Sequence, residues 1–121
     1  MRLSIFAAAV FAAVFMSGAA QAQANRFDGT WSVEIITEKG ECDKAYRYAI
    51  AIQDGRARYA GPEGFNISGS VSPNGAVSGS ISRGKDRANV SGRLAGKTGA
   101  GTWIASGARN CSGRWAADKR S

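Results

Sequence analysis

Polar and apolar residues alternate with a period of two along most of the chain from Gly29 onward, and this pattern limits the fold more than any other feature. In the first such run, Trp31, Val33 and Ile35 occupy every second position. Successive side chains of a β-strand point to opposite faces, so the alternation predicts strands that are buried on one face only. About eight short strands and no helix are indicated. We therefore predict an all-β fold, a single small antiparallel β-barrel or a sandwich, and closure into a barrel is favoured because it removes exposed strand edges.

Two turn sequences indicate how neighbouring strands pair. Asp54-Gly55 is typical of a two-residue hairpin loop. Pro73-Asn74-Gly75 fits a three-residue loop with its glycine in the left-handed conformation. Both turns place apolar residues opposite one another, and the predicted pairs are Ile52 with Ala57, Ile50 with Tyr59, and Val71 with Val77.

The first 24 residues have the features of an export signal. Arg2 supplies a positive charge, residues 3–16 are almost entirely apolar, and Ala20-Gln21-Ala22 and Ala22-Gln23-Ala24 both fit the small-x-small cleavage pattern. The apolar run is shorter than the roughly 20 residues of a membrane-spanning helix. We expect cleavage near Ala22 or Ala24, a periodic β-domain over residues 25–121 with no transmembrane segment, and a periplasmic or secreted protein.

The two cysteines, Cys42 and Cys111, are the only ones in the chain. An exported protein meets an oxidising compartment, and a small domain with a modest core often carries a disulfide. A cysteine nucleophile would normally need a histidine partner, and the chain has no histidine. We therefore predict a Cys42–Cys111 disulfide.

Each of the three tryptophans follows a glycine by two positions. The motifs are Gly29-Thr30-Trp31, Gly101-Thr102-Trp103 and Gly113-Arg114-Trp115. We interpret them as packing motifs in which glycine leaves space beside an indole on the same face. Together with three tyrosines, the tryptophans are expected to form the core or to line a pocket, and this predicted set is Trp31, Tyr46, Tyr48, Tyr59, Trp103 and Trp115.

Gly29-Thr30-Trp31 is similar to the Gly-x-Trp motif that opens lipocalins and avidin-like barrels, a resemblance that implies a barrel. A longer pattern comprises Phe27-Asp28-Gly29-x-Trp31, Cys42, Tyr46-Arg47-Tyr48, Gly99-x-Gly101-x-Trp103 and Cys111-Ser112-Gly113-Arg114-Trp115-x-Ala117. It resembles a group of small, uncharacterised exported proteins of alphaproteobacteria, some of which are labelled as heme utilisation or adhesion proteins. That label suggests a general role in heme utilisation or adhesion but implies no mechanism.

The composition argues against an enzyme or a metalloprotein. Histidine is absent, and both methionines, Met1 and Met16, lie in the predicted leader. Common axial heme ligands are therefore reduced to the tyrosines, whose spacing is that of core aromatics. The nine Asp and Glu residues fall mostly in turns or at outward positions and form no close pair for acid–base catalysis. We expect no catalytic residues, no metal site and no cofactor.

The chain is basic, with a formal net charge of +7 to which Arg2 contributes one. Such a charge favours contact with anionic surfaces, and simple solubility would explain it equally well. The candidate binding residues are placed on the second hairpin (Arg47, Arg56, Arg58) and around the third (Arg83, Lys85, Arg87, Arg93, Lys97). Serines at positions 68, 70, 78 and 80 line the same outer surface.

From these residues we predict a non-enzymatic, envelope-associated module that binds anionic surface material through basic outward residues. The partners expected are an anionic glycan, lipid head groups or an acidic protein, and no specific nucleic-acid motif is present. The alternative is a small barrel that binds an apolar small molecule in its Trp- and Tyr-lined interior.

Overall fold

A computed structural model describes residues 26–61, 65–107 and 109–121, and the predicted leader lies outside these residues. The described chain is all-β, with eight strands in series. The strands are β1 (Gly29–Lys39), β2 (Ala45–Gln53), β3 (Arg56–Tyr59), β4 (Asn66–Val71), β5 (Ala76–Arg83), β6 (Asp86–Ala95), β7 (Thr98–Gly107) and β8 (Ser112–Lys119). Among these described residues there is no helix long and apolar enough to cross a bilayer.

The eight strands form one closed barrel in which every neighbour in sequence is also a neighbour in space. All neighbouring pairs are antiparallel, and β1 pairs with β8 to complete the circle, with Val33 opposite Ala117. The closed barrel confirms the predicted fold class and excludes the sandwich. Closure satisfies the backbone hydrogen-bonding groups that an open sheet would leave at its edges.

The predicted registers are confirmed. Ile50 lies opposite Tyr59 and Ile52 opposite Ala57, while Val71 lies opposite Val77. Asp54 and Gly55 have φ angles of 54° and 76°, as a two-residue hairpin loop of the right twist requires. Local turn chemistry therefore sets the pairing, and the pairing keeps the apolar side chains inside.

One end of the barrel is closed by a side chain that precedes β1. Phe27 is only 3 % exposed and joins the core, and its carbonyl oxygen accepts a hydrogen bond of 2.8 Å from the Trp31 indole. The β2–β3, β4–β5 and β6–β7 turns lie at this closed end. The buried core consists of Phe27, Trp31, Ile35, Ile50, Ile52, Val71, Leu94, Trp103, Cys111, Trp115 and Ala117.

The opposite, open end carries the disulfide. Cys42 in the β1–β2 loop is bonded to Cys111, which directly precedes β8, with their Cα atoms 6.1 Å apart. This confirms the predicted pairing. The bond links two loops that are 69 residues apart in sequence.

The interpretation of the Gly-x-Trp motifs needs correction. Gly101 does make room for an indole, but it is that of Trp115, which lies opposite it on the neighbouring strand. Gly113 lies opposite Trp103, and an added Cβ there would meet the Ile36 carbonyl group of β1. A Cβ atom on Gly101 would lie 2.5 Å from the Trp115 indole nitrogen. At Gly29 an added Cβ would meet the C-terminal end of the chain instead of an indole. The space is needed across strands because directly paired residues of antiparallel strands point to the same face.

Candidate functional site

The outer surface of β3 to β6 is covered by hydroxyl and guanidinium groups, and we call it the basic face. Its cations lie on the two flanking strands, Arg56 and Arg58 on β3 and Arg87 and Arg93 on β6. All four are exposed. The strands between them present Asn66, Ser68, Ser70, Ser78, Ser80 and Ser82.

The serines of the basic face are arranged in rows that run across the strands. Ser68 lies opposite Ser80, and their hydroxyl oxygens are 3.3 Å apart. Ser70 lies between Arg56 of β3 and Ser78 of β5. Neighbouring strands are about 4.8 Å apart, so each row offers hydroxyl donors and acceptors at a short, regular spacing, and the row that contains Ser70 begins at a cation.

Charge compensation divides the barrel surface into two parts. The two ion pairs of the described residues both involve β1, namely Glu34 with Arg47 of β2 at 3.6 Å and Glu38 with Arg114 of β8 at 3.2 Å. In the described parts of β3 to β6 no outward position carries a carboxylate, because Asp86 follows the alternation of the inward residues. The arginines of the basic face therefore have no outward carboxylate on the described parts of β3 to β6, whereas Arg47 and Arg114 on the opposite side are each paired with a glutamate.

The predicted basic residues do not form one cluster. Arg47 is directed to β1, where it also donates a hydrogen bond of 3.2 Å to the Ser32 hydroxyl. Arg93 belongs to the closed end, where it donates to the Asn74 carbonyl oxygen at 3.2 Å, and Lys97 lies in the β6–β7 turn at that end. Arg87 is the second residue of β6 and lies at the open end, about 20 Å from Arg93 at the usual rise of a strand.

Arg83 and Lys85 belong to the open end as well, but they are not equivalent. Lys85 is exposed in the β5–β6 turn. Arg83 follows the inward residue Ile81 in the alternation, and its guanidinium carbon lies 5.1 Å from the centre of the Phe65 ring. Arg83 is therefore part of the barrel mouth, not of the outer surface on which it was predicted.

The predicted tryptophans are buried structural residues. Trp31, Trp103 and Trp115 are 1, 5 and 4 % exposed. Each indole N–H donates to a backbone carbonyl oxygen, Trp103 to Ile36 and Arg114 at 3.2 Å and Trp115 to Ser91 at 3.0 Å. Beside Trp31 and Trp115 remains an apolar inner cavity of about 90 Å³.

The predicted tyrosines form an aromatic cluster at the open end together with Phe65. The Tyr48 ring lies 6.1 Å from Tyr46, 6.0 Å from Tyr59 and 5.2 Å from Phe65, measured between ring centres. All four side chains are half-buried. Phe65 was missed by the sequence prediction, although it stands two positions before Ile67 in the same alternation.

Three of these rings, Tyr46, Tyr48 and Phe65, line an open cup of about 510 Å³, which we call the mouth. Three arginines border it, Arg83, Arg87 and Arg109, and so do two carboxylates, Asp43 and Asp86. Arg109 was also missed, since nothing in the sequence of the β7–β8 loop marks it. Among the described residues that line it, the mouth thus combines an aromatic wall with an excess of one positive charge.

Burial raises the pKa of the Tyr48 hydroxyl at the mouth. Smaller contributions from Tyr46 and Tyr59 act in the same direction, whereas the Arg83 guanidinium lowers this pKa. Tyr48 therefore stays neutral at physiological pH and presents a hydroxyl group and a ring face, not a negative charge.

The described residues contain no cluster of three or more histidine, cysteine or acidic side chains that would hold a metal ion. No protein-family model, no curated protein and no solved structure matches the chain. The resemblance to exported alphaproteobacterial proteins stays a prediction.

Proposed function

We propose that this protein is an exported, non-enzymatic module that binds anionic envelope material, an acidic glycan or lipid head groups, on its basic face. The main support for this proposal is the uneven distribution of ion-paired and unpaired charges around the barrel. Ion pairs occupy the side formed by β1, β2 and β8, while the outward arginines of β3 and β6 have no outward carboxylate on the described parts of their own side.

The serine rows support an extended ligand. A polymer with repeated anionic groups meets arginines at both edges of the face and hydroxyl groups between them, so that each repeat can accept or donate hydrogen bonds. Most of the attraction is electrostatic and acts through water, where charges are screened within about 8 Å at physiological salt. Binding by the basic face should therefore weaken as salt rises.

The test is binding of the mature protein to polygalacturonate and to phosphatidylglycerol vesicles. The variant Arg56→Gln/Arg93→Gln removes two charges from the basic face, and Arg47→Gln/Arg114→Gln removes two from the ion-paired side. We expect the first variant to bind about tenfold more weakly and the second to bind like wild type, because their net charges are equal and only the position differs. Equal loss in both variants, or binding insensitive to salt, contradicts the proposal.

The apolar inner cavity supports the alternative of an enclosed small molecule, but its size limits what it can hold. An apolar cavity of about 150 Å³ is known to admit benzene. The inner cavity, at about 90 Å³, is smaller. A ligand larger than this cavity therefore has to extend into the mouth, which the inner cavity adjoins.

A further inference from the structure

We propose that the mouth binds a monoanionic amphiphile, a molecule with one carboxylate and a slender apolar tail of the fatty-acid class. The carboxylate lies among the arginines at the mouth, and the tail passes along Tyr48 toward the inner cavity. The mouth shares Arg87 with the basic face but none of its other cations, and the proposal does not depend on binding at that face.

The mouth and the inner cavity adjoin. Ile35, Tyr48 and Ile81 line both of them. The inner cavity is bounded almost entirely by apolar groups such as Val33 and Val90. A ligand that enters from the open end therefore moves from a mixed surface to an apolar one, which suits a molecule with a polar head and an apolar tail.

Small side chains keep the mouth open. Ala88 of β6 lies directly opposite Ala105 of β7, and both line the mouth. The larger rings of Tyr46 and Tyr48 on β2 also line the mouth. The inner cavity that adjoins it has a volume of only about 90 Å³, which suits a slender chain better than a bulky ring system.

The charges at the mouth fit a single negative charge. Among the described residues of the mouth, the three arginines, Arg83, Arg87 and Arg109, outnumber the two aspartates, Asp43 and Asp86, by one. None of these arginines forms an ion pair with a described residue. A carboxylate placed among them gains charge-assisted hydrogen bonds, while a second negative charge would face the two aspartates.

The experiment is calorimetric titration of the mature protein with straight-chain carboxylates from hexanoate to dodecanoate and with the matching primary alcohols. Burial of each added methylene should raise affinity about fourfold until the inner cavity is full. The carboxylates should bind about tenfold more tightly than the alcohols. Equal affinity of acid and alcohol, no dependence on chain length, or binding only to anionic vesicles and not to free carboxylate overturns the proposal.

Variants locate the site. Ala88→Phe fills the mouth and should abolish binding, and Ala105→Leu serves the same purpose if the first variant does not fold. Arg83→Gln should weaken carboxylate binding about tenfold and leave alcohol binding unchanged, whereas Arg93→Gln at the closed end should change neither. Unchanged carboxylate binding in a folded mouth-filling variant contradicts the site. Since Arg56→Gln/Arg93→Gln leaves the mouth intact, loss of polymer binding in that variant and loss of carboxylate binding in Arg83→Gln are separate results.

Discussion

Trp31 combines deep burial with a satisfied polar group. It is 1 % exposed, and its indole N–H donates to the Phe27 carbonyl oxygen, so the ring both fills the core and holds the residue that closes the barrel end. Deep burial of the tryptophans was predictable because they stand on the apolar side of the alternation. The identity of their hydrogen-bond partners was not, because those carbonyls lie on other strands or outside the barrel.

We predict that Trp31→Ala lowers the free energy of unfolding by about 3–5 kcal/mol, because a large cavity is left in the core. Trp31→Phe should cost less, since it retains much of the volume and loses mainly the hydrogen bond to Phe27. Urea denaturation of both variants measures the difference. A Trp31→Ala protein as stable as wild type would show that this indole is not a packing residue.

Tyr48 gives a prediction about alkaline pH. Its pKa in the folded protein lies above the ordinary value of 10.0, mainly because of burial. The folded chain thus keeps a proton that the unfolded chain has already lost, so stability is unaffected below about pH 10 and falls as pH rises through the raised pKa. Denaturation at several alkaline pH values should show a shallower decline for Tyr48→Phe than for wild type. An identical decline in the two proteins would contradict this assignment.

At the scale of elements, hairpins were predictable and long-range contacts were not. Asp54-Gly55 and Pro73-Asn74-Gly75 fix their registers through backbone preferences within a few residues. β1 and β8 are the first and last strands, so no turn connects them and no local sequence signal predicts their pairing. The sequence therefore left barrel and sandwich open, and only the preference for paired edges favoured the barrel.

A long-range contact supports the β2–β3 turn. The Asp28 carboxylate accepts hydrogen bonds from the backbone N–H groups of Asp54 at 3.0 Å and Gly55 at 3.5 Å. We predict that Asp28→Ala lowers the free energy of unfolding by about 1 kcal/mol, because two turn donors lose their acceptor. Asp28→Asn keeps one acceptor oxygen, so it should lower the free energy of unfolding by less than Asp28→Ala does. Thermal unfolding of both variants is the measurement, and an Asp28→Ala protein indistinguishable from wild type would show that the turn needs no support.

At the scale of the whole molecule, the sequence indicates which residue types form the candidate sites better than it indicates where those residues lie on the barrel. Composition indicated a basic surface, and the alternation placed Arg56, Arg58 and Arg93 correctly at outward positions. The alternation gives the face of a residue but not its position along the barrel axis, and Arg87 and Arg93, which share a face, lie near opposite ends of β6. The mouth could not be predicted because the residues that form it, such as Arg83 at the end of β5 and Arg109 in the β7–β8 loop, come from distant parts of the chain that meet only when the barrel closes.

The disulfide acts on the whole barrel because Cys42 and Cys111 enclose β2 to β7, six of the eight strands. A crosslink over a loop of that length restricts the unfolded chain by about 4 kcal/mol, a large part of the stability of a domain this size. We predict that Cys42→Ala/Cys111→Ala loses about that amount in urea denaturation. Wild type measured with and without reductant separates the crosslink from the loss of two side chains. If the reduced wild type unfolds at the same urea concentration as the oxidised protein, the bond does not stabilise the barrel.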